Sequence, residues 1–184
     1  MNYLELTDAD YDDKLREMGN YLWDLEQRAD IASAEGQHSL VQELEAKILR
    51  QADRAHDFSQ IAGSHRVLAA FVAGLGYRMS RHWQRAAEHF QSVVQLSPMN
   101  GEAWLELTWC FAELGQWHEC EIAARKSVEI FPKTAASWGN LALALAGLAK
   151  IEEAREAIRR AIQLDPADPR NLAIEEQLGR TDAS

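Results

Sequence analysis

The chain has 184 residues, 47% of them hydrophobic and 26% charged, and a formal net charge of −10. Its length allows one or two domains with a substantial core. The acidic balance argues against nonspecific nucleic-acid binding, which needs a cationic surface to release counterions, and against docking on anionic membranes.

The charge is uneven: residues 1–66 carry 14 acids and 7 bases, residues 67–184 carry 15 and 12. No apolar run approaches the length of a transmembrane helix. The opening MNYLELTDADYDDK lacks a basic-then-apolar leader pattern, so a cytoplasmic location is expected. Cys110 and Cys120 are too few for a disulfide framework and are expected as free thiols. Ala, Leu, Glu, Gln and Arg dominate and only four prolines occur, so the expected fold is all-α.

In chain order, the first predicted element is a helix whose apolar residues Tyr11, Leu15, Met18, Leu22, Leu25, Ala29 and Ala32 step by four and three. That spacing makes a heptad seam. After EGQHS, Ser39 and Gln42 predict a capping box. A second stripe comes next, formed by Val41, Leu44, Ile48, Ala52, Ala55 and Phe58. Residues 1–66 therefore predict an antiparallel helical hairpin. Three roles are open to it: capping the N-terminal end of the remaining helices, pairing with its copy in a dimer, or folding over a groove.

From residue 67 the pattern changes to a repeat. Pro98, Pro132 and Pro166 are 34 residues apart, and Trp104 and Trp138, Leu107 and Leu141, and Cys120 and Ala154 keep the same interval. The units are 67–100, 101–134 and 135–168. Each predicts two amphipathic helices, A and B, joined at a short turn and stopped by proline. Within the middle unit, helix A covers about Gly101 to Leu114, Gly115-Gln116 makes the turn, and helix B covers about Trp117 to Ile130. Small residues (Gly74, Thr108, Ala142; Ala86, Cys120, Ala154) mark where A and B approach closely. Residues 169–184 predict a capping helix, begun by Asp168 and Pro169, and a short disordered tail.

The segments AWLELTWCFAELGQWHECEIAARKSVEIFP, SWGNLALALAGLAKIEEAREAIRRAIQLDP and AGLGYRMSRHWQRAAEHFQSVVQLSP resemble the tetratricopeptide repeat family. The resemblance implies a right-handed superhelical stack of three repeats whose A helices line a concave groove. It implies a non-enzymatic protein-interaction module but does not name what is bound, because this scaffold serves many unrelated partners.

The residues of helix A that packing does not need are then candidates for contact with a peptide: Phe71, Leu75, Arg78 and Met79 in the first repeat, Glu102, Leu105, Glu106, Trp109 and Glu113 in the second, and Asn140 and Leu143 in the third. Family members that clamp acidic chaperone C-termini use Lys, Arg and Asn there. Here the glutamates repel an acidic peptide. An apolar segment carrying Lys or Arg suits the face better, with Trp109 as the main anchor. Such a protein acts as an adaptor or dedicated chaperone. The alternative is a structural protein that self-assembles, as a homodimer or larger, through the hairpin.

No motif for chemistry stands out. His118 and Cys120 are two apart on a helix and share no face. His82 and His89 are expected on the surface. Arg155, Arg159 and Arg160 interleave with glutamates as a solvated face. No cofactor, metal or nucleic acid is expected.

Overall fold

The computed structural model describes residues 7–180, and the tail expected to be disordered, 181–184, lies outside them. The described residues form nine α-helices and no strand: α1 Asp8–Ala34, α2 His38–Ser59, α3 Arg66–Met79, α4 Trp83–Leu96, α5 Gly101–Glu113, α6 Trp117–Ile130, α7 Ala135–Gly147, α8 Ile151–Leu164 and α9 Pro169–Arg180. They fall into two compact units, 1–97 and 98–184.

In the N-terminal unit α1, α2 and α3 pack on one another, and α4 packs on α3. The seam residues Tyr11, Leu15, Met18, Leu22, Leu25 and Ala32 are all buried, as are Leu44, Ile48, Ala52, Ala55 and Phe58 on α2. The hairpin's heptads are thus used inside the unit. Thr7 caps α1 in a reciprocal capping box with Asp10. Asp8 reaches the α2–α3 loop, accepting from the Ser64 amide and hydroxyl at 3.2 and 3.0 Å and from His65 Nδ1 at 2.9 Å. These bonds, the one from His65 foremost, hold its carboxyl below the usual carboxylate range. Further along, Glu26 of α1 pairs with Arg78 of α3 at 3.3 Å.

The capping box expected at Ser39 and Gln42 does not form. The helix α2 begins at His38, with Gln37 at the cap making no side-chain bond. Gly36, at φ 71°, turns the chain early, so Ser39 is already a second-position helical residue beyond the cap.

Close approach of α3 to its neighbours depends on small residues. A Cβ on Gly74 would stand 2.8 Å from the Phe90 ring, and one on Gly76 would stand 2.7 Å from Ala52 Cβ. Next to Gly76, Tyr77 is fully buried and donates its hydroxyl to Asp53 at 2.7 Å. The guanidinium of Arg85 lies 4.0 Å over its ring. His89 stacks on the same ring with centroids 5.3 Å apart and meets His56 at 3.1 Å.

His89 is therefore half-buried, and the surface position expected for it is corrected. The sequence could not show this, because His56 on α2 and His89 on α4 are 33 residues apart. Burial, then the charges of His56 and Arg85, push its pKa down to about 4. An unfolded histidine titrates near ~6.5. The unfolded state thus binds the proton first, and stability present above that value falls as pH drops toward 4. Allowing for solvent screening, the loss is on the order of 1–2 kcal/mol. Urea midpoints at pH 7 and pH 5 should show it in the wild type, and the drop should shrink in His89→Gln. An unchanged drop refutes the assignment.

The C-terminal unit repeats one design. Helices α5, α7 and α9 start at Gly101, Ala135 and Pro169, each 34 residues after the last. The indoles of Trp104 and Trp138 donate to the carbonyls of Pro98 and Pro132 at 2.8 and 2.9 Å. Each bond ties the loop before an A helix to that helix. The buried thiol of Cys120 lies 3.3 Å from the Thr108 carbonyl. Ser127 of α6 bonds Ser137 of α7 at 2.8 Å, both fully buried. Trp117 packs its ring where a Gly147 Cβ would be. The A–B turns need a left-handed residue. Gly115 supplies it at φ 68°, and Ala149 adopts φ 57° at the matching place one repeat later.

Candidate functional site

Three helices of the C-terminal unit border a cavity of about 330 Å³. Helix α5 contributes Thr108, Trp109, Ala112 and Glu113, and α7 contributes Ala136, Gly139, Asn140 and Leu143. The third wall is α9, with Asn171, Ala173, Ile174 and Gln177, together with Asp168 and Arg170 at its start. The spacing explains the convergence: residues three or four apart share a helical face, and Trp109–Glu113, Ala136–Asn140 and Arg170–Ile174 are each four apart.

The cavity wall is apolar along Trp109, Ala112, Ala136, Leu143, Ala173 and Ile174 and polar at Glu113, Asn140, Asp168, Arg170, Asn171 and Gln177. Trp109 stays 40% exposed, which is high for so large an apolar side chain. Asp168 caps α9, accepting from the Arg170 amide at 2.9 Å, and it also lies 3.6 Å from the Arg170 guanidinium. Asn171 is only 2% exposed, and its Nδ2 has no hydrogen-bond partner. Its amide presses on α7 where Gly139 lacks a side chain; a Cβ there would overlap Asn171 Oδ1.

Of the residues expected at a site, Trp109, Glu113, Asn140 and Leu143 line this one cavity. Glu102, Leu105 and Glu106 lie on α5 outside it. Phe71, Leu75, Arg78 and Met79 lie on α3 in the N-terminal unit, half-buried. There Phe71 packs edge-on against Phe90 at 5.6 Å and Arg78 pairs with Glu26. The contribution of α9 was not foreseen, because Asn171 and Ile174 lie beyond the last repeat. The signal was present in the 34-residue interval that carries Gly101 and Ala135 on to Pro169.

Elsewhere, a cleft of about 460 Å³ is bordered by Arg125, Trp138, Glu153, Glu156, Arg159 and Arg160. Its charges are mixed, and Arg125 is already tied to Glu121 and Glu153 at 2.8 and 3.0 Å. Burial pushes the Cys120 thiol up to about 12, so at neutral pH it is a packing group, not a nucleophile. Among the described residues, no three His, Cys, Asp or Glu side chains are grouped to hold a metal, and no helix is long and apolar enough to cross a membrane.

Paired helices recurring every 34 residues, with a side-chain-lined groove between successive first helices, define a helical-repeat protein. Tetratricopeptide repeat models match residues 71–119 and 135–168. The chain thus carries tetratricopeptide repeats, a class of protein-interaction module rather than of enzyme. Solved structures with the same fold include MamA, residues 41 to the end, from Desulfovibrio magneticus RS-1, at 20% identity and TM-score 0.65, covering 84% of this chain and 85% of that one. The first TPR domain of Spaghetti (RPAP3), bound to the HSP90 peptide SRMEEVD, is 17% identical with TM-score 0.62, covering 67% and 98%. The Sgt2 TPR domain from Aspergillus fumigatus is 17% identical with TM-score 0.60, covering 67% and 83%. No curated protein sequence matches the chain.

Proposed function

We propose that the groove between α5, α7 and α9 holds a segment of a partner protein, apolar with basic residues, and that the chain works as an adaptor or dedicated chaperone in the cytoplasm. The observation that carries this is Trp109, left 40% exposed in a cavity bordered by α5, α7 and α9. A tryptophan offers roughly 150–250 Å² of contact, and at about 25 cal/mol per Å² its burial contributes several kcal/mol at most. Glu113, Asn140 and Leu143 share the cavity with it, and Glu102, Leu105 and Glu106 extend the surface along α5. The Spaghetti domain holds a peptide with an acidic end. Such a peptide suits this groove poorly, because Glu113 and Asp168 line it.

Peptides selected from a random display library on the intact protein test this. Trp109→Ala should weaken their binding about tenfold or more, as for an anchor at an interface centre, with the melting temperature nearly unchanged. Equal binding, or a large loss of stability, refutes the role. The alternative of self-assembly through the hairpin would use its exposed side, where Trp23 and Ile31 of α1 are 62% and 59% exposed, since the seam is buried within the unit.

A further inference from the structure

We infer that the contact between His56 and His89 is an acid-operated latch on α4. The pair takes up one proton and stays closed. A second proton leaves it without an acceptor, and α4 then opens locally while α1, α2 and α3 stay packed.

The geometry sets the proton count. His56 Nδ1 and His89 Nε2 lie 3.1 Å apart, with the ring planes at 87° and the centroids 5.1 Å apart. A hydrogen bond between two imidazoles needs one N–H and one bare ring nitrogen. Two neutral rings supply both. A pair with one added proton supplies them too, and its bond is charge-assisted. Once both rings are imidazolium, two N–H groups face each other and the contact cannot persist.

The surroundings give the second proton little help. Arg85, one turn before His89 on α4, holds its guanidinium 4.0 Å over the Tyr77 ring on which His89 stacks. Asp53 of α2 is already engaged by the Tyr77 hydroxyl at 2.7 Å and by Arg85 at 3.3 Å. Asp57 of α2 bears on Tyr77 and Glu88 of α4 on His89, and both are exposed. His82, in the turn before α4, is spent on the Ser80 carbonyl at 2.8 Å. Burial, His56 and Arg85 outweigh Glu88, and the His89 pKa falls to about 4.

The latch also sits where it can act. Helices α1, α2 and α3 pack on one another, whereas α4 packs on α3. Side chains tie α4 to α2 at His89–His56 and at Arg85–Asp53, and the second pair is half exposed and contributes little. Helices at the edge of a unit open at lower cost than the whole unit. A general weakening by acid would lower protection in every helix; the latch lowers it in α4 first.

Amide hydrogen exchange of the full chain, read as protection factors between about pH 6 and pH 4, tests this. Protection of α4 should fall about tenfold per pH unit, the slope of one extra proton bound by the open form, while that of α1 changes less than about threefold in all. In His56→Gln a side-chain carbonyl can accept from the protonated His89 ring, so the α4 slope should drop to about threefold per pH unit or less. In His89→Gln it should vanish. Any loss of protection common to all pH values in a variant is packing and leaves the slope readable. A tenfold slope that survives either substitution overturns the role of the pair. Equal losses in α1 and α4 overturn local opening, and constant protection of α4 down to pH 4 overturns the latch itself.

Discussion

Phe90→Ala is expected to cost about 3–5 kcal/mol, the usual range for truncating a fully buried phenylalanine. Phe90 has no exposed surface. Its ring sits edge-on to Phe71 with centroids 5.6 Å apart, and it also packs on Gly74, whose missing side chain lets the ring approach α3. Glycine has nothing to rotate into the space the ring would leave, so that side of the cavity cannot close. For a unit of this size each kcal/mol lowers the midpoint by roughly 4–8 °C, so the thermal transition should fall by about 12 °C or more. Circular dichroism of the two proteins measures it. A fall of only a few degrees would show that α3 and α4 collapse onto each other without the ring.

The repeat architecture was legible because its determinants are local and recur. Pro98, Pro132 and Pro166 stop helices, Gly115 makes a turn, and Trp104 and Trp138 make the same bond to a proline carbonyl in successive repeats. Three of these signals are residue types with few alternatives, and a fixed interval multiplies their weight. The heptad seam of α1 was legible for the same reason. Its partner was not, since a seam specifies that another helix covers it, not which one; here α2 and α3 do.

The site was legible only in part. Trp109 stood out because its counterparts in the repeat are Leu75 and Leu143. Asn171 could not stand out, because its burial depends on Gly139 giving it room on α7. The cluster of Asp53, His56, Tyr77, Arg85 and His89 was hidden likewise. It draws one or two residues from each of three helices, and none of them breaks a local pattern. Long-range polar contacts leave no period in a sequence, whereas packing faces do.

Gly76→Val is expected to cost about 3 kcal/mol, and the comparison with Gly76→Ala shows why. In a helix interior glycine is worse than alanine by about 1 kcal/mol, so on propensity alone Gly76→Ala would stabilise α3. Packing opposes it. The new Cβ would stand 2.7 Å from Ala52 Cβ, 3.2 Å from its Cα and 3.4 Å from its amide nitrogen. None of these atoms can rotate away, so α2 and α3 must separate. Overpacking of this kind costs roughly 1–3 kcal/mol. The balance for alanine is then a loss of about 1 kcal/mol. Valine gains less from propensity, since its branch restricts rotation in a helix, and it brings two more methyl groups into the same contact. Gly179→Ala is the control, because α9 leaves that position open, with nothing within 4 Å of a Cβ. Urea midpoints should therefore rank Gly179→Ala at or slightly above wild type, Gly76→Ala below it and Gly76→Val lowest. If Gly76→Ala proves more stable than wild type, helix propensity outweighs the α2–α3 contact, and the close approach of those helices is not what glycine at 76 provides.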